Sequence, residues 1–429
     1  MKTLSFMSGA FSLLAFAALA KPGEEQIISQ GEYLARAANC VACHSVPGGE
    51  AFAGGLKMAT PVGDIFVTNI TPDDETGIGT YTLEDFDNAM RRGLAQDGHL
   101  LYPAMPYPSY AKITDEDIEA LYVYFMDEVP GVWQENKENE IPWILSFRWP
   151  IAIWNILFLE DDTYAADSYK SDAWNRGAYL VQGLGHCGAC HTPRGIAWNE
   201  VAFDEADPVY LSGAFLDNWY ASDLTQSNRA GLGRWSKEDV EIFMKTGRNN
   251  HSTAFGTMDE VIINSTQYLS HDDLDGMAIY ITSLPGAHDG EYVYNDYAVA
   301  VMRGPERKGA QGANLYMQNC ESCHVDTGRG YPPYLPPLAG NPPVMDPDPA
   351  SLINIVLNGS SRLIVDGTPD AYRMPGYRKS LNDQEIADIV SFMRSEWGNK
   401  ASPVSAAQVA GLRALTEQAD DRMPTLRMK

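Results

Sequence analysis

No cysteine of this 429-residue chain lies outside a single motif: all 6 belong to copies of Cys-x-x-Cys-His. A disulfide framework would place some of them elsewhere, so that reading is excluded. Basic charge is scarce, with 31 Lys and Arg against 57 Asp and Glu. The net charge of -26 would repel phosphates and argues against a nucleic-acid partner. There is no Gly-rich dinucleotide fingerprint and no recognisable nucleophile arrangement, so nothing points to substrate oxidation by this chain itself. Long apolar runs are few. Residues 141–159 approach the length of a membrane span, but two prolines and Arg148 interrupt them.

What is present is threefold. The motifs are Cys40-x-x-Cys43-His44, Cys187-x-x-Cys190-His191 and Cys320-x-x-Cys323-His324. Two thiols one helical turn apart match the two vinyl groups on one porphyrin edge, and the adjacent His then ligates the iron. A zinc ribbon would pair two such motifs about 15–20 residues apart. Here each copy is separated from the next by a whole small domain. A thioredoxin-like redox pair remains the other alternative for one isolated copy. Three copies with no stray cysteine favour three covalent haem c groups.

A hydrophobic content of 45% with 21% charged residues describes a globular chain, and its length suits about three domains. Residues 1–20 read as a secretory signal: Lys2, an apolar run from Phe6, and Ala18-Leu19-Ala20 for cleavage. Export agrees with covalent haem attachment, which happens outside the cytoplasm, so the expected address is the periplasmic side of a bacterial membrane. Three units follow, at 21–130, 171–287 and 306–400. An apolar arm at 131–170 and a polar linker at 288–305 connect them, and a mixed tail occupies 401–429. Each unit opens with a helix carrying Gly31, Gly177 or Gly312, a residue that allows close packing on a partner helix. Each closes with a helix capped by Thr114, Ser270 or Asn382, with an acid three residues later.

A cytochrome that only carries electrons fills both axial positions of its iron, whereas an enzyme leaves one open. Soft thioether ligands suit the second position. Each unit offers one on a loop: Met105, Met258 and Met374, with His251 the alternative to Met258. Met90, Met244 and Met277 fall in helical patterns and read as core. His99 and His186 read as surface or supporting residues. Carbonyls near Pro47 and Pro193 are candidates to orient the proximal imidazoles. Arg194 is a candidate for a haem propionate or for solvent, and Tyr331–Gly340 for a stiff cover over a porphyrin edge. The arm around Trp149 and Trp154 reads either as packing on the units or as a face for membrane or partner.

The stretches Gly185–Gly195, Thr68–Pro72, Leu101–Tyr110 and Asn264–Tyr268 resemble the triheme cytochrome c subunits of bacterial membrane-bound dehydrogenases. These include the quinoprotein alcohol dehydrogenases and the flavoprotein gluconate, sorbitol and fructose dehydrogenases. The resemblance implies an all-α chain of three tandem cytochrome c domains. It further implies an electron relay, in which a separate catalytic subunit oxidises an alcohol, sugar or sugar acid and the haems pass its electrons to ubiquinone. The departure is the tail, less apolar here than in that group. Two rival readings are a free periplasmic shuttle and a multihaem peroxidase-like enzyme; a Met in every unit weighs against the second.

Overall fold

A computed structural model describes residues 22–160, 162–304 and 310–418; the signal read at 1–20 lies outside them. The fold is mostly helical, as expected. Strands among the described residues form three antiparallel pairs: Lys57–Thr60 with Gly63–Phe66, Ala214–Leu216 with Trp219–Ala221, and Ile364–Val365 with Thr368–Pro369.

Each repeat rests on two crossing helices. The opening helices are Pro22–Ala37, Asp172–Tyr179 and Gln311–Asn319. The closing helices are Asp115–Val123, His271–Ser283 and Asp383–Ser395. The expected glycines sit at the crossings. A Cβ on Gly31, Gly177 or Gly312 would collide with the carbonyl oxygen of Ala120, Gly276 or Asp388 respectively.

The closing helices start where the caps predict, but not all caps are alike. Asn382 and Glu385 bond reciprocally, as do Thr82 with Asp85 and Ser236 with Asp239 at the middle helices Leu83–Arg92 and Lys237–Thr246. At Thr114 and Ser270 only the hydroxyl takes part. The acids there, Asp117 and Asp273, are turned to other partners. Asp117 accepts from Gln30 (2.7 Å) of its own repeat and from the Tyr179 hydroxyl (2.6 Å) of the second. Asp273 accepts from Arg176 (2.7 and 2.9 Å) of its own repeat and from the Tyr33 hydroxyl (2.6 Å) of the first. Gln30 and Arg176 each precede the crossing glycine, and Tyr33 and Tyr179 each follow it by two. The first two repeats therefore face each other through the same contact made twice, the pattern of a two-fold interface. The third repeat has Asn314 at the tyrosine position.

Packing follows that division. Leu34, Val41, Phe52 and Leu121 share one hydrophobic cluster with Trp174, Leu180, Met277 and Tyr280, whereas Tyr316, Ile353, Ile389 and Trp397 of the third repeat form another. The stretch read as a linker contains a helix, Tyr297–Arg303, whose Ala298 and Met302 are buried in the third repeat's cluster. The tail also docks: helix Ala406–Leu415 buries Val409 and Leu412, and Arg413 bonds Asp383 (2.7 Å). Arg422 and Arg427 lie outside the described residues.

The exchange has a pH signature. Burial alone would raise the Asp273 pKa, but hydrogen bonds from Arg176 and Tyr33 outweigh it and hold the carboxyl below its usual range. A carboxyl depressed in the folded state contributes stability above its unfolded value of about 3.9, and that stability is lost as pH falls through the folded value. Thermal unfolding of the first two repeats should shift downward on acidification below about pH 4, and Asp273→Asn should flatten that part of the curve. An unchanged profile in the variant would refute the linkage.

Candidate functional site

Each Cys-x-x-Cys-His lies on a single helical turn: Cys40–Cys43, Gly188–His191 and Glu321–His324. All six thiols are free. Burial pushes Cys40, Cys187 and Cys320 up to about 12. A redox thiol of the thioredoxin type needs the opposite shift. Among the described residues no group of three or more His, Cys, Asp or Glu is placed to hold a metal ion.

The three motif histidines are held alike. His44 Nδ1 bonds the Thr68 carbonyl (2.8 Å), His191 Nδ1 that of Ser222 (2.7 Å) and His324 Nδ1 that of Pro336 (3.0 Å). A carbonyl only accepts, so Nδ1 carries the proton and Nε2 keeps its lone pair. Burial, partly opposed by these bonds, lowers all three histidine pKa values and keeps the rings neutral. The acceptors replace those expected near Pro47 and Pro193. The chain leaves each motif, runs outward and returns, instead of closing at once on the following proline. The third acceptor does fall within the Tyr331–Gly340 loop.

The return is made possible by glycine. The amides of Gly54, Gly213 and Gly330 donate to the carbonyls of His44, His191 and His324 (2.7, 2.7 and 3.1 Å). All three glycines have positive φ, and a Cβ on them would press on Thr68, on Tyr220 and Ala221, or on Pro336. A side chain there would displace the acceptor or its immediate neighbour. These glycines were not recognised from the sequence, although an isolated Gly beyond each motif was the available signal.

Met105 and Met374 sit on the loops expected, whereas Met258 falls inside a helix, Thr257–Asn264, instead of on a loop. Met105, Met258 and Met374 are half-buried, whereas Met90, Met244 and Met277 are buried. Two loops are tied to their motifs by tyrosines the sequence reading passed over. Tyr110 donates to Ala38 (3.3 Å), two residues before Cys40, and Tyr377 to Asn319 (2.5 Å), next to Cys320. Met258 is the second residue of helix Thr257–Asn264, which follows Gly256, whose α-carbon faces the Trp219 ring, and Phe255 packs on that same ring at 5.8 Å. Trp219 belongs to the strand running into Ser222, so the Met258 turn and the His191 anchor share a support. His251 is engaged elsewhere, stacked on Trp235 (5.4 Å, 20°) with Nε2 3.3 Å from Asp239.

The remaining candidates also have partners. His99 contacts Asp97 (2.5 Å) on the surface. His186 donates to Ala38 (3.4 Å) and stands edge-on to Tyr110 (5.6 Å), joining the first two motifs. Arg194 is folded onto its own loop, bonding the Ala189 and Trp198 carbonyls beside Glu200 (3.8 Å). In the arm, helix Trp149–Phe158 is packed on one side and open on the other. Trp154 donates to Ala197 (2.9 Å), Asn155 accepts from Tyr107 (2.7 Å), and Arg148 bonds Leu100 (2.6 Å) over the Tyr102 ring. Trp143, Trp149, Ile153, Ile156 (82% exposed) and Leu157 face outward, together with Ile196 and Trp198 beyond the second motif. No helix among the described residues is long and apolar enough to cross a membrane.

Paired thiols on one turn, a neutral histidine with Nε2 free and a half-buried methionine in each repeat are a donor set that fits covalent haem. The cytochrome c family matches residues 28–127 and 309–397, which enclose the first and third motifs. The gluconate 2-dehydrogenase cytochrome c subunit of Pantoea cypripedii is 48% identical over 95% of this chain and 95% of its own. The alcohol dehydrogenase (quinone) cytochrome c subunit of Gluconacetobacter polyoxogenes is 46% identical over 96% of this chain and 89% of its own. The fructose dehydrogenase cytochrome subunit of Gluconobacter japonicus is 39% identical, over 90% and 82%. The chain belongs to the cytochrome c subunits of dehydrogenase complexes, which carry covalently bound haem c and transfer electrons instead of oxidising a substrate themselves.

Proposed function

We propose that this chain holds three haem c groups and relays electrons from a flavin- or quinone-dependent dehydrogenase subunit to ubiquinone, on the periplasmic face of the cytoplasmic membrane after export. The observation that carries the proposal is the threefold repetition of one arrangement: paired cysteines followed by a carbonyl-anchored histidine. Haem iron at these positions supplies one-electron redox chemistry. The chain's own residues do the rest. His44, His191 and His324 would hold the iron through Nε2, and Met105, Met258 and Met374 would hold it through their thioethers. The protein around them excludes water and fixes the spacing. His186 locks the second motif to the first, and the Trp219–Ala221 strand is seated on the third repeat through Ser351 (2.8 Å). The dehydrogenase partner is supported by the relatives, each named as the cytochrome subunit of a dehydrogenase.

Ubiquinone lies in a bilayer, and the arm offers the matching surface. Its outward side chains form an apolar patch with tryptophans, which favour the membrane–water interface. Trp154 and Arg148 are committed inward, so the docking residues are Trp149, Ile156 and Leu157. A pyridine haemochrome assay of the exported protein should give three haems per chain. Replacing Trp149, Ile156 and Leu157 together by Ser should slow ubiquinone reduction in vesicles and leave transfer to a soluble acceptor intact. If both activities fall together, the patch serves the dehydrogenase interface and the quinone enters elsewhere.

A further inference from the structure

Ser222 serves two repeats at once. Its carbonyl accepts from His191 Nδ1 (2.7 Å), and its hydroxyl donates to Asp346 Oδ2 of the third repeat (2.7 Å). Asp346 is fully buried. Its Oδ1 has no hydrogen-bond partner, and its backbone carbonyl is held by Arg394 (2.9 Å). A buried carboxyl oxygen left unpartnered costs free energy that a neutral side chain would avoid. The surroundings hold the pair in register: Ser351 bonds both the amide and the carbonyl of Tyr220 (2.8 Å each), and Asn354 bonds the Asn218 carbonyl (3.2 Å).

We propose that Asp346 is a positioning residue for the middle haem site, acting through Ser222 on His191, so that the third repeat tunes the redox potential of the second. This rests on the three-haem reading above. The groups facing Asp346 are Ser222, Tyr220, Asp223 and Asp348 from the hairpin and its own loop, and Arg394 from the closing helix. Burial raises its carboxyl pKa well above the usual range. Ser222 and Arg394 oppose that shift, and the two neighbouring acids add to it. Oxidised iron carries one more positive charge than reduced iron, so an ionised Asp346 favours the oxidised site and a protonated one the reduced site. When one electron enters from the reduced dehydrogenase subunit, a hydronium ion transfers one proton to Oδ1: its O–H bond breaks as the carboxyl O–H bond forms, and water is released. The potential of the middle site therefore falls as pH rises.

The test is a spectroelectrochemical titration of the full haem-loaded chain across neutral pH. One of the three potentials should fall with pH in the parent. Asp346→Asn should abolish that slope, and Ser222→Ala should weaken it. Ser351→Ala, which loosens the same interface without touching Ser222, should leave it intact. The inference is overturned if the slope is absent from the parent, survives in Asp346→Asn, or disappears equally in Ser351→Ala. Should Asp346→Asn not fold, the single lost hydroxyl of Ser222→Ala decides the matter. Fewer than three haems in the parent would sink the underlying reading; three haems without the predicted slope would sink only this inference.

Discussion

Gly177→Ala should destabilise the first two repeats by more than the roughly 1–3 kcal/mol typical of overpacking. Two effects oppose each other. Alanine in a helix gains about 0.5–1 kcal/mol over glycine. The new methyl, however, meets the backbone of Gly276, which cannot rotate away as a side chain would. The helices must separate, and the cluster that both repeats share opens with them. Gly411, in the docked tail helix, is the control. Nothing lies within 4 Å of a Cβ there, so Gly411→Ala should stabilise by about 0.5–1 kcal/mol. Thermal unfolding of the two variants should move in opposite directions. If Gly177→Ala matches the parent, the crossing is looser than described.

Replacing Met374 by Ala should change the spectrum far more than the fold. The residue is half-buried on a loop, and Ser360 holds both its amide (3.0 Å) and its carbonyl (3.1 Å). Gly359 and Gly376 let that loop lie flat on the end of helix Ala350–Asn358. Under the proposed ligation, its loss should open one iron to carbon monoxide and lower one potential without detaching any haem. Met277→Ala should do the reverse: about 2–5 kcal/mol of stability lost from the core and no spectral change. The same contrast applies to Met105 and Met258, and His251→Ala should be spectrally silent. A Met374→Ala protein with the parent's spectrum and no reaction with carbon monoxide would reassign Met374 to packing.

The cysteines, the crossing glycines and the helix caps were legible in the sequence, because each depends on residue type at fixed local spacing. The histidine acceptors were not. Thr68, Ser222 and Pro336 contribute only backbone carbonyls, which every residue possesses, and they lie 24, 31 and 12 residues from their histidines. The arm hid its orientation for another reason. It is apolar on every side, so no periodicity separates the face on Tyr107 from the face toward solvent. The caps misled in a finer way. Thr114 with Asp117 has the same residue pattern as Thr82 with Asp85, yet Asp117 answers to Tyr179. That choice depends on a partner 62 residues further along the chain.

The paired tyrosines also set a clock on biosynthesis. Tyr33 finds Asp273 across 240 residues of chain. In a chain exported N-terminus first, that partner emerges only after nearly the whole second repeat has crossed. Until then the opening helix lacks its clamp, and the face later covered by the second repeat stands open. The first pair of thiols is thus most accessible before the second repeat exists. A substitution that speeds closure of this pair would shorten the interval for attaching the first haem, even while it strengthened the finished protein.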